Sequence, residues 1–301
     1  MTRPREATRA YVDEPITDLA AATQAARQAA AQWGLDEPQL LRVGMNAIFQ
    51  VDGVVLRVSA PTVDAAASLE LLGHLARAGV RVPVAARDDV VRHRGLSVTG
   101  WQHLESTAAP IDWRGVGAMV RSVHELDATE LPASVPLPAP ASFPWWDFDT
   151  LLARVAEAID PPARLGLVTT IERHRGWRDA DGAVVCHGDV HPGNVMMTED
   201  GPVLIDWDLL CWAPPGWDHG PMLTWARRWG GDADDYEKFA AGYGRSLADD
   251  DVTLAFAELR LVAATLLRLA AGLRDPAAMP EAQRRLAYWR GDPDAPTWTA
   301  Q

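Results

Sequence analysis

Residues 186–195 of this 301-residue chain read CHGDVHPGNV. His187, Asp189 and His191 alternate, and Pro192, Gly193 and Asn194 follow. Imidazoles at that spacing can ligate a transition metal, whereas a carboxylate in the same loop can orient a hydroxyl and accept its proton. A zinc site takes three or four N, S or O donors, so two histidines need company. The remaining histidines, His74, His93, His103, His124, His174 and His219, show no paired i, i+4 spacing on a helix. A metal hydrolase stays open on this pattern, without support from it.

Phosphoryl transfer makes a different demand. A carboxylate must align the attacking hydroxyl, and oxygen ligands must hold Mg2+ against nucleotide phosphates. In kinase catalytic loops the Asp is followed five positions later by an Asn, and a hairpin then brings a metal-binding Asp. Asp189 and Asn194 have that spacing, and NVMMT, EDG, PVLID reads as strand, turn, strand, with Asp206 at its end. The hairpin therefore returns a second carboxylate to the end that carries Asn194.

Other elements must position this loop. Residues 17–33 are Ala-rich, begin with cap residues and stop at Gly34, which predicts a helix. AIFQV and VVLRV flank Asp52-Gly53, the strongest short signal for a two-residue hairpin. Residues 64–78 space Leu69, Leu72 and Leu75 as a helix does, and VRVPVAA, DVVRH and GLSVTGW supply further strand candidates. From about residue 112 the pattern turns helical, over 114–126, 149–159, 164–175, 235–247 and 252–274. The Pro-rich stretch 131–144 reads as a surface connection between helices. A border falls near 103–110, dividing a sheet-bearing part, 1–104, from a helical part, 105–301.

Composition narrows the partners. With 48% hydrophobic residues the chain can bury a core without staples. Cys186 and Cys211 are too few for a disulfide framework, so a reducing cytoplasm is expected. No apolar run of membrane-spanning length occurs, and the first fifteen residues carry charge where a signal peptide needs an apolar stretch. A net charge of −13 argues against nucleic acid and anionic membranes and is compatible with a cationic small molecule. Lys238 is the only lysine, so any cationic role before it falls to arginine or histidine.

CHGDVHPGNVM together with VLIDWD resembles the aminoglycoside phosphotransferase family, small-molecule relatives of protein kinases with the signature H-G-D-x-H-x-x-N followed by I-D-[FW]-[DE]. The resemblance is strongest over 184–220, fair over 43–105 and weak in the helices that should bind the acceptor. It implies an α+β, protein-kinase-like two-lobe fold, with a small N-terminal lobe built on an antiparallel sheet and a larger, mainly helical C-terminal lobe. It also implies transfer of the γ-phosphate of ATP, or GTP, with Mg2+, to a hydroxyl of a small molecule such as an aminoglycoside, amino sugar or amino alcohol. A nucleotide-binding pseudoenzyme with a regulatory role is the alternative.

By the same resemblance Asp189 is the catalytic base, and Asn194 and Asp206 are the magnesium ligands. His187 braces the loop, and Asp218 anchors it from below. His191 either contacts a phosphate or the acceptor, or packs the loop; Asp208 either assists the metal or faces solvent. Arg57 stands where kinases have a phosphate-binding strand lysine, and Glu70 is its implied ion-pair partner. The backbone around Gly44–Ala47 would cover the phosphates, and Gln102 and Leu104 would contact adenine. Seven tryptophans after residue 140 (145, 146, 207, 212, 217, 225 and 229), with Asp147 or Glu258, are candidates for the acceptor site.

Overall fold

The computed structural model describes residues 13–299; the charged N-terminal stretch weighed above lies mostly outside them. The first helix, α1 (Leu19–Gln32), is capped by Asp18, whose carboxylate accepts the Ala21 N–H. Ala22, Ala25, Ala26, Ala29 and Ala30 form its buried stripe. Side chains this small let the helix lie close on the sheet beneath it, against Phe49, Leu56, Val58 and Val98.

That sheet holds β1 (Gln39–Val43), β2 (Ala47–Val51), β3 (Val54–Ser59), β4 (Val91–His93) and β5 (Leu96–Gln102), in the order β1-β2-β3-β5-β4, all antiparallel. The β2–β3 turn is Asp52-Gly53, both with positive φ, 48° and 72°, as a tight hairpin of matching twist requires. Between β3 and β4 runs α2 (Ala66–Arg77), which buries Leu71, Leu72 and Leu75. Two expectations differ from this. The exposed strand β1 has no clean alternation and was not predicted. VRVPVAA forms no strand, only an isolated bridge between Ala85 and Trp101, because Pro83 at its centre withholds a ladder donor.

The helical part follows: α3 (Trp113–His124), α4 (Phe148–Arg154), α5 (Pro161–Arg173), α6 (Gly216–Trp229), α7 (Asp235–Tyr243), α8 (Asp251–Arg274) and α9 (Met279–Trp289). Among them lie two small antiparallel pairs. β6 (Val184–Cys186) pairs with β9 (Cys211–Ala213), and β7 (Val195–Thr198) pairs with β8 (Gly201–Leu204) as the expected hairpin. Neither α6 nor α9 was predicted; Pro221 inside α6 and a short apolar stripe in α9 hide the helical period.

Two glycines of α6 fix how that helix meets α8. A Cβ on Gly216 would stand 2.7 Å from the Thr253 backbone, and one on Gly220 would stand 2.8 Å from Ala257 N. The two backbones thus touch, and one wall of the cavity described below is made by this pair. Behind it the segment after α9 packs back. Trp298 is buried edge-on to Trp229, its backbone N–H donates to Arg228 O, and Arg285 holds Thr299 O at 3.0 Å.

Candidate active site

The loop after β6 is anchored from beneath by one buried carboxylate. Asp218, in the first turn of α6, accepts the His187 N–H at 2.9 Å, the Gly188 N–H at 2.8 Å and His124 Nε2 at 3.0 Å. Burial alone would push its pKa up; His124, His187 and the amide donors outweigh that and hold it below the usual carboxylate range. His124 in turn meets the Tyr243 hydroxyl at 3.0 Å. His187 is fully buried, edge-on to Trp207, with Nε2 on Ile205 O at 3.1 Å and Nδ1 accepting the Asp189 N–H at 3.2 Å. It thereby ties the loop to the hairpin exit. Gly188 has φ of 94°, and a Cβ there would stand 1.9 Å from Leu209 O, so only glycine lets these segments touch.

This brace also answers the metal question among the described residues. The one compact set of potential ligands is His124, Cys186 and Asp218, all buried. Asp218 is already engaged by the loop, and the Cys186 thiol faces Ala213 O at 3.4 Å. His187 and His191 do not belong to that set.

Asp189 emerges from the braced loop into a cavity of about 450 Å3. The Asn194 amide nitrogen donates to Asp189 O at 2.9 Å and reaches Oδ2 at 3.2 Å. On the other side Arg260, from α8, donates to Oδ1 and sits over the Trp217 ring. Burial would raise the Asp189 pKa, but the Arg260 guanidinium and His191 prevail and keep it well below the ordinary range. Sequence reasoning missed Arg260, which lies on α8, 71 residues on; Glu258, chosen on the same helix, pairs instead with His174 at 2.7 Å and with Arg173. Asp147 likewise only caps α4, through Thr150.

The hairpin delivers its second carboxylate as expected. Ile205 N–H donates to Asn194 O at 3.0 Å, which closes the hairpin's base, and Asp206 follows with φ of 62°. Both Asp206 and Asp208 line the cavity with Asp189. Burial and then the neighbouring Asp208 push the Asp206 pKa up. A crowded carboxylate beside a second one, with Asn194 tied to the same hairpin base through the Ile205 N–H, offers oxygen donors of the kind a hard divalent cation neutralises. These residues fit magnesium.

Arg57 corrects the expected ion pair. Its guanidinium grips Asp208, with Nη1 to Oδ1 at 2.9 Å, and also Asp13, with Nη2 to Oδ2 at 2.9 Å. Asn46 completes the group once its amide nitrogen is turned to Asp13 and its oxygen to Arg57. Glu70 takes no part: Leu71, Leu72 and Leu75 claim the inner face of α2, so Glu70 is turned to the rim, where it accepts the Ser134 hydroxyl. A planar guanidinium fork finds its match in the two oxygens of Asp208. Asp13 escaped sequence reasoning altogether; burial first, and Asp208 further, lift its pKa to about 6 against the pull of Arg57.

Gln102 and Leu104 do not line the cavity; the Gln102 N–H donates to Val84 O at 2.8 Å. Met45 and Asn46 of the Gly44–Ala47 stretch do line it, at its sheet end. His191 also lines it, stacked on Trp225 at 5.6 Å and 3.4 Å from Asp189 through Nε2. Of the seven candidate tryptophans, Trp145, Trp225 and Trp229 line the cavity, while Trp146, Trp207 and Trp217 are buried.

A small antiparallel sheet over a helical body, with a braced aspartate and a hairpin aspartate lining one cavity, is the architecture of a kinase-type phosphotransferase. Residues 46–258 match the model of the phosphotransferase enzyme family, and the chain belongs to that family. Among solved structures it is similar to a spectinomycin phosphotransferase in complex with ADP and spectinomycin, at 16% identity and a TM-score of 0.67, covering 88% of this chain and 93% of that one. A choline/ethanolamine kinase family protein from Mesorhizobium loti gives 18% and 0.64, with 93% and 95% covered. A macrolide 2'-phosphotransferase from Brachybacterium faecium gives 20% and 0.56, with 88% and 97% covered. No curated protein matches the sequence. The protein is a small-molecule kinase. Among the described residues no helix is long and apolar enough to cross a membrane.

Proposed function

We propose that the protein transfers the γ-phosphoryl group of a magnesium-bound nucleoside triphosphate, ATP or GTP, to a hydroxyl of a small molecule held in the cavity. The observation that carries this reading is the meeting of Asp189 and Asp206 on one cavity wall, with Asn194 hydrogen-bonded to the first. Asp189 aligns the acceptor hydroxyl and takes its proton as the new P–O bond forms; the nucleoside diphosphate leaves with the electrons of the broken bond. Asn194, Asp206 and Asp208 would hold Mg2+, which supplies charge neutralisation on the phosphates. Arg57 exchanges its carboxylate partners for phosphate oxygens. Residues 1–104 serve the nucleotide and 105–301 the catalytic loop and acceptor, and the enzyme works in the cytoplasm.

The test is a screen of hydroxyl compounds with Mg·ATP and Mg·GTP, reading diphosphate release, with mass spectrometry of the product. A product heavier by one phosphoryl group is expected. Nucleotide binding with no transfer to any acceptor class would overturn the reading.

A further inference from the structure

Beyond Asp189 the cavity is lined by α6 and α8, and by Trp145. Trp225 and Trp229, one helical turn apart, stack at 5.3 Å with planes 12° apart, and His191 continues the ladder at 11°. All three rings are only half-buried, and Leu267 beside them is 42% exposed. Half-exposed aromatic faces around a concavity gain by being covered.

The wall's charges are already matched. Arg260 is paired with Asp189. Arg285 is taken up by Glu281 at 3.0 Å, Ala264 O at 2.8 Å and Thr299 O at 3.0 Å. The cavity's remaining carboxylates, Asp13, Asp206 and Asp208, stand at the sheet and hairpin end, two of them on Arg57. Among the described residues the α6–α8 wall therefore offers no free carboxylate to an ammonium group, although the chain as a whole is strongly acidic. A polycation seated there would give up its water and meet two guanidinium groups instead.

We infer that the acceptor is an uncharged hydroxyl compound with a flat apolar face, of the aryl glycoside kind, laid against the Trp225–Trp229 ladder with one hydroxyl at Asp189. This deepens the phosphotransferase reading and rests on it. Binding is measured by calorimetry with the protein loaded with a non-hydrolysable ATP analogue and Mg2+, so no turnover is needed. The probes are esculin (a coumarin glucoside), kanamycin (a polycation) and choline (a small quaternary cation).

Esculin is expected to bind at least about tenfold more tightly than either cation. Trp225→Ala should weaken esculin about tenfold. Leu267→Glu, on the exposed rim, should narrow the gap by favouring kanamycin. Binding of kanamycin or choline equal to or tighter than esculin, or no esculin binding by protein that still binds the nucleotide analogue, overturns the inference. Esculin that binds this complex but receives no phosphoryl group when Mg·ATP replaces the analogue instead counts against the phosphotransferase reading, so the two failures are distinguishable.

Discussion

The two ends of the cavity are built on opposite principles. At the sheet end, charged groups crowd together: Asp206 is pushed up by burial and Asp208, and Arg57 is shared between Asp208 and Asp13. At the α6–α8 end, rings stack in parallel and each charge has a fixed partner. The first end is electrostatically unfinished and suits a ligand that brings a cation and anionic phosphates. The second is finished except for its apolar surface. Asp189 stands at the junction, held by Asn194 from one end and Arg260 from the other.

Removing the junction should have the largest effect. Asp189→Asn is expected to lower kcat by roughly 10^3-fold or more while nucleotide affinity, read by titration, changes little. Near-normal turnover would take Asp189 out of the chemistry. Next comes the sheet end: Asp206→Asn should cost roughly 10^2-fold in kcat, partly recovered at high Mg2+, and an unchanged metal dependence would assign the site elsewhere.

Arg260→Ala tests the other hand on Asp189. About a tenfold loss in kcat is expected. With its main counter-charge gone, the Asp189 pKa rises, so the acid limb of the pH–rate profile should move to higher pH; an unmoved limb would leave Arg260 a packing residue. The smallest effect is expected for Glu70→Ala. Because Glu70 bonds Ser134 and not Arg57, turnover should stay within about twofold of the parent, and a large loss would mean that the ion pair re-forms during the cycle.

The buried side of α6, away from the cavity lining, has its own pH signature. His219 is fully buried, with Tyr236 near Nδ1 and, among the described residues, no hydrogen-bond partner at Nε2, and burial lowers its pKa to about 4. The unfolded chain takes up that proton near pH 6.5, the folded one only near 4. Stability is thus retained above about 6.5 and falls as pH drops from there towards 4, by roughly 3 kcal/mol in all. Denaturant melts of the parent and of His219→Gln across that window should differ in slope; parallel slopes would remove His219 as the cause.

How much of this the sequence disclosed depends on contact range. Asp189, Asn194 and Asp206 were legible because a loop and a two-stranded hairpin fix their relation within eighteen positions. The Asp52-Gly53 turn was legible for the same local reason. Arg260 and Asp13 were not, since each reaches the site from a distant element and nothing in its neighbours marks it. Arg57 was found, yet its partner was mistaken: a spacing pattern places a residue on a strand or helix and cannot say which way a neighbouring helix is rolled. The tryptophans were countable, but which of them face the cavity depends on how distant elements pack, as the glycine contact of α6 on α8 does for Trp225 and Trp229.

Trp298 carries one more consequence. By wedging behind Trp229 and leaving Thr299 to Arg285, it makes the stretch beyond α9 a buttress for the α6–α8 wall. Trimming or tagging that stretch would then disturb substrate selection more than nucleotide handling, at a distance from any reacting atom.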